Sequence, residues 1–198
     1  LARPLIKKYL TQYSGVLNTK YYSMDSGYDQ EKNYTYILNE VKAIPIIAYN
    51  KRAAYAPPEG FNEDFQPICS MGYPLTYWGK DGNYLKYRCP HITGKTNCPE
   101  GSCWCSSSNY GYCKKININN NLRLISYPPR HSEHFIRLYN NRTSVERCNS
   151  RLKELLNVDN LRSAGILKAK AFALLNCIAL VSGTISVNRV KNNNLSVA

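Results

Sequence analysis

The sequence has few acidic residues for its length, and this shortage is informative. Its 198 residues include 13 Asp and Glu against 26 Lys and Arg, so the formal net charge is +13 at pH 7. Such an excess of cations favours a polyanionic partner, either nucleic acid or an anionic membrane surface. The length allows one or two domains with a substantial core.

A long apolar segment is also lacking. The most apolar run, AFALLNCIALV at residues 171–181, is shorter than the roughly 20 residues of a spanning helix and contains Asn176. We therefore expect a buried helix and no membrane partner. The chain opens on LARPLIKKYL, without an initiator methionine or the apolar core of a signal peptide, from which we expect a fragment or a processed piece.

Paired C-x2-C knuckles, which zinc ribbons usually show, are absent although the chain has 8 cysteines. Clustered thiols without a secretory signal indicate a reducing compartment, so disulfides are the less favoured use. Two uses stay open: four soft ligands for a structural Zn²⁺, or free thiols without a metal. The candidate zinc ligands, with His91 among them, are Cys89, Cys98, Cys103, Cys105 and Cys113.

The first 50 residues alternate between helical and extended patterns. Apolar spacing predicts a helix over 4–14, and an aromatic run predicts a strand that stops at Asp25. A second helix is predicted over 29–43, followed by a strand at 44–49. Helix, strand, helix and strand in this order predict an α/β layer with a parallel sheet.

The character of the chain changes at about residue 50. Pro, Gly and Ser punctuate short aromatic stretches up to residue 130, which predicts a β-rich insertion of hairpins and loops. Helices are then predicted over 132–157 and 163–187, and the Asn-rich end is predicted to be disordered. No repeat of roughly 20–50 residues is visible.

The stretch YNNRTSVERCNSRLK, residues 139–153, carries an unusual set of polar side chains. On one continuous helix, with Tyr139 at zero, Arg142 falls at roughly −60°, Glu146 at roughly −20° and Lys153 at roughly −40°. All four would share one face beside an apolar stripe. The alternative is a solvated face with an ordinary Arg-to-Glu helix pair.

Two acids in the chain are candidates for binding a cation. Asp25 follows a strand, and ligands of open α/β sheets collect outside the carboxyl ends of strands. Glu146 lies on the polar helix face, and Mg²⁺ is typically held by one or two carboxylates plus phosphate oxygens. Taken singly, Asp25 is also a common turn cap, and Glu146 a common surface residue.

These residues resemble the DDE transposases of bacterial insertion sequences, in the subgroup with the signature Y-x2-R-x3-E-x6-K. Tyr139, Arg142, Glu146 and Lys153 match that signature at every spacing. The segment MDSGYDQEKNYTYILNEVKAIPIIAYNKR, residues 24–52, is similar to the family's region around its second catalytic aspartate. The resemblance covers most of residues 1–190.

The resemblance implies a partial ribonuclease H-like core with a β-rich, cysteine-containing insertion between the second aspartate and the glutamate. Residues 1–50 and 131–190 would form the core, 51–130 the insertion and 191–198 a tail. Asp25 would be the second aspartate and Glu146 the glutamate of a site for two Mg²⁺ or Mn²⁺ ions. The implied reaction is cleavage of transposon ends and transfer of the freed strands to target DNA.

The implied partner is double-stranded DNA, bound by a homodimer in a bacterial cytoplasm near the nucleoid. Arg142 and Lys153 would hold phosphates, and Tyr139 would bind a phosphate or stack on a displaced base. Trp78 and Trp104 are candidates for contacts to the DNA end, although core packing is the alternative for each.

The sequence departs from the family at one important point, because no residue matches its first catalytic aspartate. We therefore expect little or no cleavage from this chain alone. The competing hypothesis is a non-catalytic, zinc-stabilised nucleic-acid-binding module, in which the acids are incidental.

Overall fold

A computed structural model describes residues 2–13, 15–51, 56–101, 105–161 and 164–195, with the side chains described up to residue 190. The chain forms two compact units, residues 1–141 and residues 142–198. The first unit contains two small sheets, and the second contains two helices.

The first sheet is a parallel pair, as the alternating pattern predicts. Helix α1 spans Ala2–Tyr13, strand β1 spans Tyr21–Met24, helix α2 spans Glu31–Thr35 and strand β2 spans Ile44–Ile47. Tyr21 pairs with Ile44 and Met24 with Ile47, so both strands end at the same edge. A wide turn over Tyr36–Glu40 continues α2, so the predicted helix 29–43 is shorter and less regular than expected.

The second sheet is an antiparallel meander. Strand β3 spans Thr76–Asp81, β4 spans Tyr84–Arg88 and β5 spans Cys113–Asn117, in the spatial order β3-β4-β5. The hairpin between β3 and β4 turns at Gly82, whose φ of 57° favours glycine. Antiparallel strands in this segment agree with the predicted β-rich character of residues 51–130.

Two apolar clusters form the core of the first unit. Tyr34, Ile37 and Ile47 lie between α1, α2 and the parallel pair, and Leu85 and Ile116 lie in the cluster of the antiparallel sheet. Leu122 packs against both clusters and connects them. The second sheet is therefore joined to the first by shared apolar packing.

The predicted helix 132–157 is interrupted, and this corrects the sequence analysis. Helix α3 spans Glu133–Asn140 and helix α4 spans Thr143–Glu154. The Asn141 amide bonds back to Leu138 at 3.3 Å, three residues away rather than the four of an α-helix. Helical angles measured from Tyr139 therefore do not carry over to residues on α4.

Helix α5 spans Ile166–Leu195, which extends beyond the predicted 163–187 and into the stretch predicted to be disordered. Its apolar side chains are exposed in this unit, including Leu174 and Leu175 at 64% each, so the expected burial of 171–181 is not observed. The apolar residues of α5 are distributed around all sides of the helix. Within this unit α5 contacts α4.

The length of α5 also corrects the argument about apolar runs. Residues Ile166–Val190 have a mean hydropathy of 1.7 and are long and apolar enough to cross a membrane by length and composition. Core helices of soluble proteins can have the same length and apolar composition. Lys168, Lys170 and Arg189 lie within this stretch.

Candidate functional site

Asp25 lies directly after β1, at the edge where the two parallel strands end. The side chain is exposed, and its Oδ1 accepts a hydrogen bond of 2.7 Å from the Ser26 amide. Asp25 thereby caps a single 3₁₀ turn, Ser26–Tyr28. The predicted position at a strand end is confirmed, and the capping role that competed with cation binding is present as well.

Glu146 lies in the first turn of α4 and forms an ion pair with Arg142. Arg142 Nη1 donates to Glu146 Oε1 at 2.6 Å, and 58% of the Glu146 side chain is exposed. This is the ordinary helix pair that the sequence analysis gave as the alternative. Exposed pairs of this kind contribute only about 0.3–0.5 kcal/mol, so a cation or a phosphate can displace either partner at small cost.

Lys153 is exposed on α4, seven residues after Glu146. Seven residues bring a helix back to nearly the same face, with a difference of roughly 20°. Lys153 and Glu146 therefore share a face of α4, as predicted. Arg142 immediately precedes α4 with helical backbone angles.

Tyr139 lies on α3, in the first unit, and is half-buried. Its ring stacks on that of Phe135, with centroids 6.0 Å apart and an interplanar angle of 9°. Phe135 is buried in the unit. Packing thus accounts for part of the Tyr139 surface.

The candidate metal ligands belong to different units. Asp25 lies in residues 1–141 and Glu146 in residues 142–198. Within the part of the chain that the structure describes, no group of three or more His, Cys, Asp or Glu side chains is arranged to hold a metal ion. The pairing of Asp25 with Glu146 stays a prediction.

Trp78 occupies a β-bulge in the antiparallel sheet. Tyr77 pairs with Tyr87 and Gly79 pairs with Lys86, so Trp78 has no partner across the ladder and is 51% exposed. Bulges of this kind redirect a side chain and are frequent beside functional sites. Core packing, the alternative for Trp78, therefore does not describe this residue.

An arginine stacks on one face of the exposed Trp78 ring. The Arg88 guanidinium carbon lies 4.3 Å from the Trp78 ring centroid and 3.3 Å from that of Tyr110. Arg88 Nη2 also donates to the Tyr110 carbonyl at 2.8 Å. We call Trp78, Arg88 and Tyr110 the aromatic sandwich. Its outer rings are each about half exposed.

The cysteines of the middle segment partly cluster. Burial, together with the nearby thiols of Cys89, Cys69 and Cys98, raises the pKa of Cys105. Cys69 was not in the predicted zinc set, whereas Cys113, which was, is exposed and donates to the Gly111 carbonyl at 3.7 Å. Among the described residues of this segment, Cys69, Cys89, Cys98 and Cys113 carry free thiols. Cys103 and Trp104 lie outside the described residues.

A network of charged side chains surrounds the buried Asp29, which lies close to Asp25 in sequence, and no sequence pattern predicted it. The Asp29 side chain is fully buried and accepts hydrogen bonds from Tyr34 Oη at 2.7 Å and the Asn50 amide at 2.9 Å. Arg123 Nε donates to Asp29 Oδ2 at 3.1 Å, and Arg130 Nη2 lies 3.8 Å from Oδ1. We call Asp29, Arg123 and Arg130 the arginine clamp.

Charge and burial have opposite effects on the pKa of Arg123. Burial alone would lower the pKa of Arg123, but the hydrogen bond and the charge of Asp29 outweigh it and raise that pKa. Burial also raises the pKa of Tyr34, which keeps its hydroxyl protonated as a donor to Asp29. Asp29 therefore favours the charged form of the Arg123 guanidinium.

His131 predicts a measurable pH dependence of stability. Burial lowers the pKa of His131 to about 4, against the opposing charge of Asp64. The unfolded chain takes up this proton near pH 6.5, so the stabilisation is complete above that value and is lost towards pH 4. Between pH 7.5 and 4.5 this proton uptake should lower the free energy of unfolding by about 2–3 kcal/mol. His131→Gln is expected to abolish this part of the pH dependence, as measured by urea unfolding.

The exposed His134 provides the control for this measurement. His134→Gln is expected to keep the pH dependence of the unmodified chain, because His134 lies on the surface of α3 and its replacement leaves the buried His131 in place. Equal pH slopes for His131→Gln and the unmodified chain would contradict the prediction.

Comparison with known families gives a match to a transposase domain. A family model described as "Transposase DDE domain" matches residues 1–182. The match includes Asp25 and all four residues of the spacing pattern between Tyr139 and Lys153. Comparison with curated proteins and with solved structures gave no match.

Proposed function

Because the chain belongs to the transposase DDE domain family, we propose that it serves divalent-metal-dependent cleavage and transfer of DNA strands in transposition. The match over residues 1–182 carries this proposal. The position of Asp25 at the carboxyl end of a parallel strand supports it, since that edge is where ligands of α/β sheets bind. The net charge of +13 suits a polyanionic substrate.

Asp25 and Glu146 are the proposed ligands of two Mg²⁺ or Mn²⁺ ions. Both are exposed carboxylates, which are the hard oxygen ligands that these ions prefer. Asp25 and Glu146 would hold these ions, which would supply charge stabilisation for the attacking and leaving oxygens of a displacement at phosphorus. The residues fit the metal in ligand type.

Arg142 and Lys153 are the proposed phosphate ligands next to Glu146. Arg142 immediately precedes α4 and Lys153 lies on it, and the Arg142 to Glu146 contact of 2.6 Å is weak enough to open for a phosphate. A guanidinium binds a phosphate with two parallel hydrogen bonds, whereas an ammonium acts as a point charge. Tyr139 is proposed to contact the same strand through its hydroxyl.

The aromatic sandwich is proposed to bind DNA through Trp78. A cavity of about 630 Å³ beside it is lined by Trp78, Lys95, Thr96 and His134, among others. That volume suits a nucleotide, with an aromatic face for the base and a lysine for the phosphate. Trp104 is proposed as a second aromatic contact to DNA, and it lies outside the described residues.

Trp78→Ala is expected to weaken binding of DNA with unpaired bases by about 1–3 kcal/mol, or roughly 5–150-fold, because each stacked base contributes that much. Fluorescence anisotropy with hairpin DNA and fully paired DNA at the same salt concentration measures the effect. Loss should be larger for the hairpin.

Tyr84→Ala is the matched control for this experiment. Tyr84 lies on the neighbouring strand β4 and is 45% exposed, but it is not part of the sandwich. Equal losses for the two variants would indicate nonspecific binding by the whole sheet and contradict the role of Trp78.

A transposition assay in cells tests the function. The open reading frame that encodes this chain, taken with its own upstream DNA, is expressed beside a marked element that carries the flanking ends. We expect excision and insertion of the marked element. We expect no Mg²⁺-dependent nicking from this chain alone, because none of its residues matches the family's first catalytic aspartate. Nicking by the chain alone would contradict that part.

The remaining parts of the proposal concern the assembly and its surroundings. We propose a ribonuclease H-like arrangement of the core and a homodimer that acts on double-stranded DNA in a bacterial cytoplasm. The alternative is a non-catalytic nucleic-acid-binding module stabilised by zinc. The influence of Cys69, Cys89 and Cys98 on the Cys105 thiol is the observation behind this alternative, although these cysteines, all among the described residues, are not arranged as a metal-binding group. Measuring zinc per chain after purification decides between bound metal and thiols without a metal.

A further inference from the structure

We infer that the arginine clamp is a positioning device, in which Asp29 with Arg123 and Arg130 fixes the backbone that presents the Asp25 carboxylate. This inference rests on the proposed role of Asp25 as a metal ligand. It assigns a purpose to one buried and two partly buried charged residues that the proposed reaction does not itself require.

The connection between Asp29 and Asp25 is short and rigid. Asp25 caps the start of the 3₁₀ turn Ser26–Tyr28, and Asp29 follows its end. The Tyr28 amide bonds to the Asp25 carbonyl at 3.0 Å, and the Asp29 amide bonds to the Ser26 carbonyl at 3.1 Å. The two acids are thus joined through one hydrogen-bonded turn, so a shift of Asp29 moves Asp25.

The clamp also holds the ends of both parallel strands. The Asn50 amide, three residues after β2, donates to Asp29 Oδ2 at 2.9 Å. Arg130 Nε donates to the carbonyl of Ile47, the last residue of β2, at 3.1 Å. The edge of the sheet at which Asp25 lies is therefore fixed from two sides by side chains of distant segments.

Charge supports a positional role over a purely stabilising one. The Asp29 side chain is fully buried, and those of Arg123 and Arg130 are 11% and 13% exposed. Buried ion pairs commonly stabilise a fold no better than apolar residues of the same volume, because desolvation offsets their attraction. Their hydrogen bonds do impose direction, which is what a metal ligand four residues away needs.

Iron-directed cleavage of the polypeptide tests the inference on the whole chain. Fe²⁺ replaces Mg²⁺, and with ascorbate and hydrogen peroxide it produces hydroxyl radicals that cut the backbone near the bound ion. Mass spectrometry locates the cuts. We expect cuts next to Asp25 in the unmodified chain and none there in Asp25→Asn.

Asp29→Asn and Arg123→Gln are expected to raise the Fe²⁺ concentration needed for half-maximal cutting by about tenfold or more, as loss of groups that orient metal ligands does elsewhere. Arg123→Lys, which keeps the charge, is expected to recover part of the effect. Asp81→Asn removes an exposed carboxylate that is ion-paired with Lys86 and is the control, with no expected change. Circular dichroism identifies variants that remain folded, and Arg123→Gln decides where Asp29→Asn unfolds.

The outcomes separate the two levels of the proposal. Cutting by Arg123→Gln and Asp29→Asn at unmodified Fe²⁺ concentrations, with Asp25→Asn uncut, overturns the positioning role and leaves Asp25 as a ligand. An unmodified chain that is not cut near Asp25, or an Asp25→Asn chain that is cut equally, overturns the metal site and the positioning role with it.

Discussion

Replacement of Asp25 by Asn is expected to reduce strand cleavage by at least about 10³-fold in the protein produced from the complete open reading frame. Loss of one electrostatic group at a transition state already costs about 10²–10³-fold, and a metal ligand supports a full divalent charge. Asn retains the size of Asp25 and the hydrogen bond that Ser26 donates to it. The fold is therefore conserved while the metal-binding charge is lost.

Glu146→Gln is expected to have an effect of similar size through the second proposed ligand. This variant also removes the ion pair with Arg142, whose exposed position makes its contribution to stability small. Cleavage of radiolabelled DNA that carries the element ends, followed over a series of Mn²⁺ concentrations, measures both variants. DNA affinity should remain close to that of the unmodified protein.

Asp81→Asn provides the matched control for both variants. Asp81 is an exposed carboxylate on the antiparallel sheet, where Lys86 and Lys115 lie 2.9 Å and 3.4 Å from it. Its removal changes the net charge in the same way without touching the proposed site. Full cleavage activity in Asp25→Asn, or an equal loss in Asp81→Asn, would contradict the assignment of Asp25.

Local patterns explain how much of the first unit could be predicted. Helix α1, strand β1 and strand β2 follow apolar periodicity or aromatic and β-branched runs within about ten residues. The parallel pairing of Tyr21 with Ile44 follows from the helix between the strands. Asp25 could be placed at a strand end for the same reason.

The face shared by Tyr139 and Glu146 could not be predicted reliably, because a helical wheel assumes an uninterrupted helix. Asn140 and Asn141 are residues that compete for backbone hydrogen bonds, and α3 ends there. Within α4 the wheel holds, so the relation of Glu146 to Lys153 was predicted correctly. The prediction of helical structure for this stretch was therefore correct, whereas the break between α3 and α4 was missed.

The arginine clamp and the bulge at Trp78 depend on contacts that sequence patterns do not encode. Asp29 and Arg123 are 94 residues apart, and either one alone resembles an ordinary surface charge. The register shift at Trp78 arises from its pairing with β4, which a single strand does not specify. The clamp forms only when Arg123 and Arg130 pack against Asp29, and the bulge forms only when β3 pairs with β4.

Arg130→Ala is expected to lower the free energy of unfolding by about 3–5 kcal/mol, the usual cost of removing one member of a buried charged network. Arg130 donates to the carbonyls of Ile47, Leu124 and Arg123 and to the Tyr34 hydroxyl, over 2.6–3.2 Å. These acceptors lose their donor in the variant, and each unpaired buried group costs about 1–3 kcal/mol.

Arg137→Ala is the matched control, because Arg137 is an exposed arginine on α3, and its expected change is within about 0.5 kcal/mol. Arg130→Lys should lie between the two, since one ammonium group cannot reach acceptors on opposite sides of a planar guanidinium. Urea unfolding followed by circular dichroism measures all three. A loss below about 1 kcal/mol for Arg130→Ala would mean that water replaces the guanidinium at these acceptors, and the strand ends would then be held by Asp29 and Arg123 alone.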